Sequence, residues 1–177
     1  MTESSSATGP GPAPAPGAYR LDPVRTTVKA DGKGMFGMVP VHGTFRLTSG
    51  EVTIADDAGR SSVRATIDAA SYSSGLAKRD KDVTSAKLLD AQNYPEITFA
   101  GDGARAQGSG WVVPGTVTAH GTPVPTELRI DDAVAGDGTV RFHAVATLDR
   151  NDFGVTKMKL MVGPKVVVII DAVAVPA

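Results

Sequence analysis

The sequence predicts an all-β fold: an antiparallel barrel of about eight strands, interrupted once by a short helical insertion. Three observations carry this expectation. Long stretches alternate apolar and polar residues with period two, as strands with one dry and one wet face do. Turn signals rich in Gly, Asp and Ser separate these stretches at short intervals. The segment from Ser71 to Phe99 breaks the alternation with a run of charges and a helical pattern, then returns to a strand through Tyr94-Pro95.

Residues 1–17 stand apart. Ser, Gly, Pro and Ala dominate, nothing there can pack a core, and the prolines favour an extended linker. The expectation is a disordered tail, with a docking peptide as the alternative, and a barrel domain over 18–177. From there the strands follow in order. In 39–47 the odd positions are apolar or small. Val63, Ala65, Ile67 and Ala69 share one face, against Arg64, Thr66 and Asp68. Ile97 and Phe99 alternate with Glu96 and Thr98. Trp111, Val113, Gly115, Val117 and Ala119 form the next dry face, then Leu128 and Ile130, then Phe142, Ala144, Ala146 and Leu148. Turns are expected at Thr48-Ser49-Gly50, at 56–59, at Gly101-Asp102-Gly103, at 108–110 and at 136–138. Seven or eight strands at this spacing make a sandwich or a closed barrel.

Two details favour a hollow barrel. The dry face is small at Ala65, Ala69, Gly115, Ala119, Ala144 and Ala146, and aromatic residues are only 5% of the chain, so few rings are available to plug a lumen. The alternative is a filled barrel whose small residues reflect an Ala-rich composition. The final strand, 166–175, is apolar on both faces except at Asp171, which calls for cover from the insertion or from a second subunit.

The bulk numbers exclude several functions. A chain of 177 residues suits one domain. A net charge of -1 without a block of like charge argues against nucleic acid, or an anionic membrane surface, as the main partner. No cysteine is present, which removes disulfides, thiolate metal sites and a cysteine nucleophile. The N-terminus lacks a basic segment followed by an apolar one, and no apolar run approaches the roughly 20 residues of a membrane helix, so a cytoplasmic protein is expected.

Catalytic motifs are scarce. The run from Gly32 to Gly37 matches GxGxxG, but a strand with Pro40 follows it instead of a helix, so it reads as a glycine turn. His42, His120 and His143 fall on wet strand positions, which disfavours an internal metal site. Asp80, Asp82 and Asp90 lie among Lys78, Arg79, Lys81 and Lys87, and Asp149 and Asp152 flank Arg150. Mixed signs at such spacing read as ion pairs that pin the insertion to the barrel rim. The minority reading is a hydrolase using Asp80, Asp152 and His120.

Taken in order, several motifs resemble the YceI-like family of polyisoprenoid-binding, lipocalin-like proteins. They are Tyr19-x-Leu21-Asp22, Gly43-x-Phe45, Arg79-Asp80, Tyr94-Pro95-x-Ile97-x-Phe99, His120-Gly121 and Arg150-x-Asp152-Phe153-Gly154, over about residues 19–175. The chain departs from the family pattern at Arg25-Thr26, at Asp82-Val83, at Leu88-Leu89, where aromatics are usual, and at 123–126; a further family histidine is absent from 31–37.

The resemblance implies a long apolar ligand in the barrel, such as a polyisoprenoid, a prenyl quinone or a related lipid. No catalytic residue, no metal and no other cofactor is expected. On that expectation Ile67, Phe99, Val113, Val117, Phe142, Leu148, Val168 and Ile170 line the shaft, while Leu88, Leu89, Arg79, Tyr94 and Phe153 form its mouth and cover. The partner is then an apolar small molecule, with a homodimer possible. The competing class is a ligand-free structural or dimerisation barrel.

Overall fold

The computed structural model describes residues 14–159 and 161–177; the expected tail lies mostly outside them. Ten strands run in chain order: β1 (Gly17–Leu21), β2 (Thr27–Gly34), β3 (Val39–Ile54), β4 (Ser62–Ser73), β5 (Glu96–Asp102), β6 (Arg105–Gln107), β7 (Gly110–Ala119), β8 (Thr122–Gly136), β9 (Thr139–Asp149) and β10 (Lys165–Pro176). One α-helix, α1 (Ala77–Thr84), sits between β4 and β5. Short 3-10 turns cover Ala58–Arg60 and Arg150–Phe153. Among the described residues no helix is long and apolar enough to cross a membrane.

The sheet closes as β2-β3-β4-β5-β7-β8-β9-β10 and back to β2, an eight-stranded antiparallel barrel. β1 occupies the same gap as β2, pairing with the end of β10 and the end of β3. The first staves are therefore one strand broken at 22–26. Asp22 fixes the break: its carboxylate accepts from the backbone of Val24 and Arg25 and from the Arg25 Nε at 2.8 Å.

Antiparallel order puts four connections at one end of the barrel: 35–38, 74–95, 120–121 and 150–164. The opposite half is packed solid. Leu21, Leu47, Val52, Val63, Leu128 and Val140 fill it, with Tyr19, Phe142 and Ile170 against them.

Two sequence expectations are corrected. Thr48-Ser49-Gly50 is no turn: β3 runs through it with a register shift between Leu47 and Ser49. Gly50 serves close packing, since a Cβ there would overlap the Leu21 side chain. Likewise, the outward Val173 on β10 is buried under the β1–β2 connection, not under the insertion. Its N–H donates to the Thr26 Oγ (3.1 Å), and its carbonyl accepts from the Asp22 N–H (2.8 Å).

Candidate ligand-binding cavity

The half of the barrel beneath the four connections is hollow, with a cavity of ≈ 440 Å³. Its walls are the inward positions of the strands: Val28 and Ala30 on β2, Val41 and Phe45 on β3, Ile67 on β4, Ile97 on β5, Leu148 on β9, and Val166 and Val168 on β10. Period-two alternation delivers these side chains to one space.

Phe99 fills the lumen beside it. A Cβ at Gly101 or Gly115 would come within 2.9 Å of the Phe99 ring, so both glycines exist to seat that ring. Small residues were expected to hollow the barrel. At Gly115, Ala144 and Ala146 they instead let larger neighbours pack, and none of the three borders the cavity.

Two covers flank the opening. The first is the insertion: Leu76, Lys78, Arg79, Asp82 and Val83 face the cavity, followed by Leu88 and Leu89. Asp80 anchors it, accepting from the Ser74 N–H (2.8 Å) and the Ser74 Oγ (2.6 Å). An ion pair had been expected there. Among the described residues Arg79 makes none, and the insertion's single pair is Lys87 with Asp82 at 4.0 Å. A short polar capping contact reaches Asp80 before any long cation can.

The second cover is the β9–β10 connection, contributing Phe153, Val155, Met158, Met161 and Val162. Arg150, 8% exposed, holds it in shape. Its guanidinium donates to the carbonyls of Gly163 (3.2 Å), Val155 (2.8 Å), Lys157 (2.7 Å) and Val162 (2.9 Å). Burial lowers the Arg150 pKa and the neighbouring Asp149 opposes this; an arginine stays charged regardless. The Asp149 carboxyl lies below its ordinary range because it accepts from the Asn151 N–H, with Lys165 nearby.

Polar groups at the cavity are few. Lys33, Lys78, Arg79 and Asp82 stand at the mouth, and the half-buried Tyr72 borders the wall. Such a space can hold an apolar body with one polar end. His120, Asp80 and Asp152, the residues of the minority catalytic reading, are not among its lining. His42 and His143 pair with Asp31 (2.9 Å) and Asp171 (2.8 Å), and the described residues contain no cluster of three or more histidine or acidic side chains placed to hold a metal ion.

The model of the YceI-like domain matches residues 19–174, nearly the whole barrel. The chain belongs to the YceI-like family. A UPF0312 protein of Pseudomonas putida (strain GB-1) is 33% identical over 125 residues, covering 65% of this chain and 64% of that protein. A UPF0312 protein of Serratia proteamaculans is 29% identical over 124 residues. The match thus spans just under two thirds of these relatives' own length. Among solved structures, Burkholderia cenocepacia BcnA superposes with a TM-score of 0.78 at 25% identity, covering 86% of this chain and 98% of that one. A polyisoprenoid binding domain from Saccharophagus degradans superposes with a TM-score of 0.68 at 16% identity, covering 90% and 98%.

The YceI-like motifs acquire physical roles here. Tyr94 lies over His120, ring centroids 4.8 Å apart, and a Cβ at Gly121 would stand 2.7 Å from the Tyr94 ring. The Tyr-Pro and His-Gly motifs are therefore two sides of one contact. His120 and Gly121, with φ of 53° and 71°, form the two-residue turn between β7 and β8. In Gly43-x-Phe45, a Cβ at Gly43 would overlap the Tyr72 ring, which itself lies 5.2 Å from that of Phe45. In the Arg-x-Asp-Phe-Gly motif, Arg150 is the clamp, Phe153 is buried, and Gly154 ends the 3-10 turn in the left-handed region at φ 74°.

Of the thirteen expected ligand-binding residues, the structure brings Ile67, Leu148, Val168, Leu88, Leu89, Arg79 and Phe153 together around the cavity. The other six stand elsewhere. Val113, Phe142 and Ile170 point inward at the solid end and belong to its core. Phe99 plugs the mid-lumen, and Val117 packs with Leu88 and Phe153 behind the lining. Tyr94 is 37% exposed on the outside of the rim. Alternation reveals which way a side chain points but not how deep it lies, and depth sets Val113, Phe142, Ile170 and Phe99 apart; Tyr94 precedes its strand, and Val117 is packed behind Leu88 and Phe153. Phe45, Tyr72, Met158 and Val162 were missed. Phe45 was readable from its strand face, whereas the last two lie in a connection without periodicity.

Proposed function

We propose that this protein binds one apolar chain, a prenyl lipid, prenyl quinone or related molecule, in the open half of its barrel, and carries or sequesters it without turnover. The observation that carries this reading is the ≈ 440 Å³ cavity, walled mainly by aliphatic and aromatic side chains, with Lys33, Lys78, Arg79 and Asp82 at its mouth and Tyr72 and Arg150 as the other polar groups of its lining. The similar Saccharophagus degradans domain is a polyisoprenoid binding domain, which supports the same ligand class. From Val28 to Gly34, six strand steps tilted as in a small barrel give a depth of about 15 Å. A four-carbon isoprene repeat spans about 5 Å when extended. The cavity therefore suits a short prenyl chain, or the first units of a longer one that emerges between the covers. Burial contributes about 0.8 kcal/mol per CH₂ before ordering costs.

Native mass spectrometry of the purified full chain, with solvent extraction of the same sample, tests this. A co-purifying apolar molecule, or uptake of added geranylgeraniol, is the expected result. Protein recovered empty that also ignores prenyl alcohols and quinones would favour the ligand-free structural barrel.

A further inference from the structure

Around the cavity mouth, side chains suited to a core stand in solvent. Phe36 is 70% exposed, Met38 81%, Met35 54%, Leu76 52% and Met161 49%. They come from three connections at one end of the barrel. The Met35 N–H donates to the Met161 carbonyl at 3.0 Å, which ties two of those connections together. Met35, Leu76 and Met161 also line the cavity, so the apolar rim runs into it without a break. Exposed apolar patches with a polar border mark contact surfaces.

The β2–β3 turn breaks a local rule to make this rim. The Met38 N–H donates to the Met35 carbonyl across Phe36 and Gly37, whose φ values are 62° and 77°, and Met35 itself has φ 45°. Such turns favour Asn-Gly. A bulky aromatic in a left-handed, exposed position has no packing reward inside the barrel; violations of this kind concentrate at functional positions.

Charge at the mouth is uneven although the whole chain is near neutral. Lys33, Lys78 and Arg79 border the opening, and among the described residues none of the three is in a salt bridge. Asp82, which faces Lys87, is the one carboxylate of the cavity lining among the described residues; Asp80, held by Ser74, and Asp31, beside His42, do not line it.

We propose that the open end docks on an anionic lipid bilayer, with Phe36 and Met38 entering the headgroup region and Lys33, Lys78 and Arg79 set against lipid phosphates. A shallow apolar insertion beside cations is the usual geometry of peripheral binding. A bilayer fits better than a protein partner because the cavity opens inside the patch. A folded partner would stopper it, whereas a bilayer offers apolar chains at that opening. The net charge of -1 does not oppose docking, since salt confines the relevant field to about 8–10 Å.

The test is co-sedimentation of the full chain with phosphatidylcholine vesicles, with and without phosphatidylglycerol, for the wild type, Phe36→Ser/Met38→Ser, and Lys33→Gln/Lys78→Gln/Arg79→Gln. The expected results are pelleting with phosphatidylglycerol vesicles, roughly tenfold or greater weakening in the serine pair, and loss of the preference for phosphatidylglycerol in the glutamine triple. The serine pair should unfold at the wild-type temperature, because both replaced side chains stand in solvent; the glutamine triple, whose Arg79 is half-buried, is compared at a temperature where circular dichroism shows it folded. Serine-pair binding equal to wild type overturns the proposal. So does a wild type that ignores vesicles, or sedimentation without vesicles showing that the serine pair dissolves a dimer. The ligand reading fails separately: protein that docks yet never holds an apolar molecule keeps the docking surface and loses the carrier role.

Discussion

Tyr72 reports on the cavity from a single side chain. Its ring lies across Gly43, tilts against Phe45 and borders the hollow half of the barrel. Burial raises its pKa above the ordinary 10.0; Arg79 pulls it down and Asp80 pushes it up. A raised pKa means the folded state holds the phenol proton more tightly than the unfolded chain does. That contribution to stability is complete below the ordinary value and fades as pH climbs through the folded one. In a Tyr19→Phe/Tyr94→Phe background, the absorbance of the ionised phenol should therefore titrate above the usual tyrosine range. An apolar chain in the cavity displaces water from the ring and should move the midpoint higher still, and Arg79→Gln should do so even in empty protein. A midpoint at the ordinary value, indifferent to ligand and to Arg79, would place Tyr72 away from the cavity wall.

At the level of elements, the β9–β10 connection depends on one buried cation. Arg150 satisfies four backbone carbonyls that no strand reaches. Arg150→Met removes the donors and leaves those acceptors without partners, which should cost about 2–4 kcal/mol in urea denaturation. Limited proteolysis should then cut first between 154 and 164. A loss below about 0.5 kcal/mol would show that the connection holds itself. This clamp was hidden in the sequence because its partners are backbone atoms, which carry no complementary charge to read. Strand faces were legible, since alternation at Val63, Ala65 and Ile67 or at Phe142, Ala144 and Ala146 records direction directly. The insertion was legible as a break in that alternation. What could not be read were relations across strands: Phe99 over Gly101 and Gly115, Leu21 over Gly50, and Tyr94 over Gly121. Each pairs a ring or branched chain with a glycine, and a glycine seen alone does not name the side chain that lies over it.

Across the whole molecule, stability and binding divide along the barrel axis. Leu47 is 2% exposed in the solid half, surrounded by close-packed aliphatic neighbours. Leu148 borders the cavity, so one side of it already lacks protein contacts. Truncation costs follow from how much packing is lost. Leu47→Ala should lower unfolding free energy by about 3 kcal/mol or more, whereas Leu148→Ala should cost about 1–2 kcal/mol, because part of its surroundings is already void. Ligand response should run the other way. A bound apolar chain stabilises only the folded state, by an amount set by its concentration relative to Kd. That increment should persist in Leu47→Ala, measured where the variant is still folded, and shrink in Leu148→Ala as wall contacts are lost. Denaturant titrations of both variants, with and without a saturating prenyl alcohol, read the two effects together. If both truncations cost the same and leave the ligand increment unchanged, the hollow half is not where the ligand sits. If the costs differ as argued but the increment falls only in Leu47→Ala, the chain must reach into the half that the core now fills, and the core would have to open to admit it.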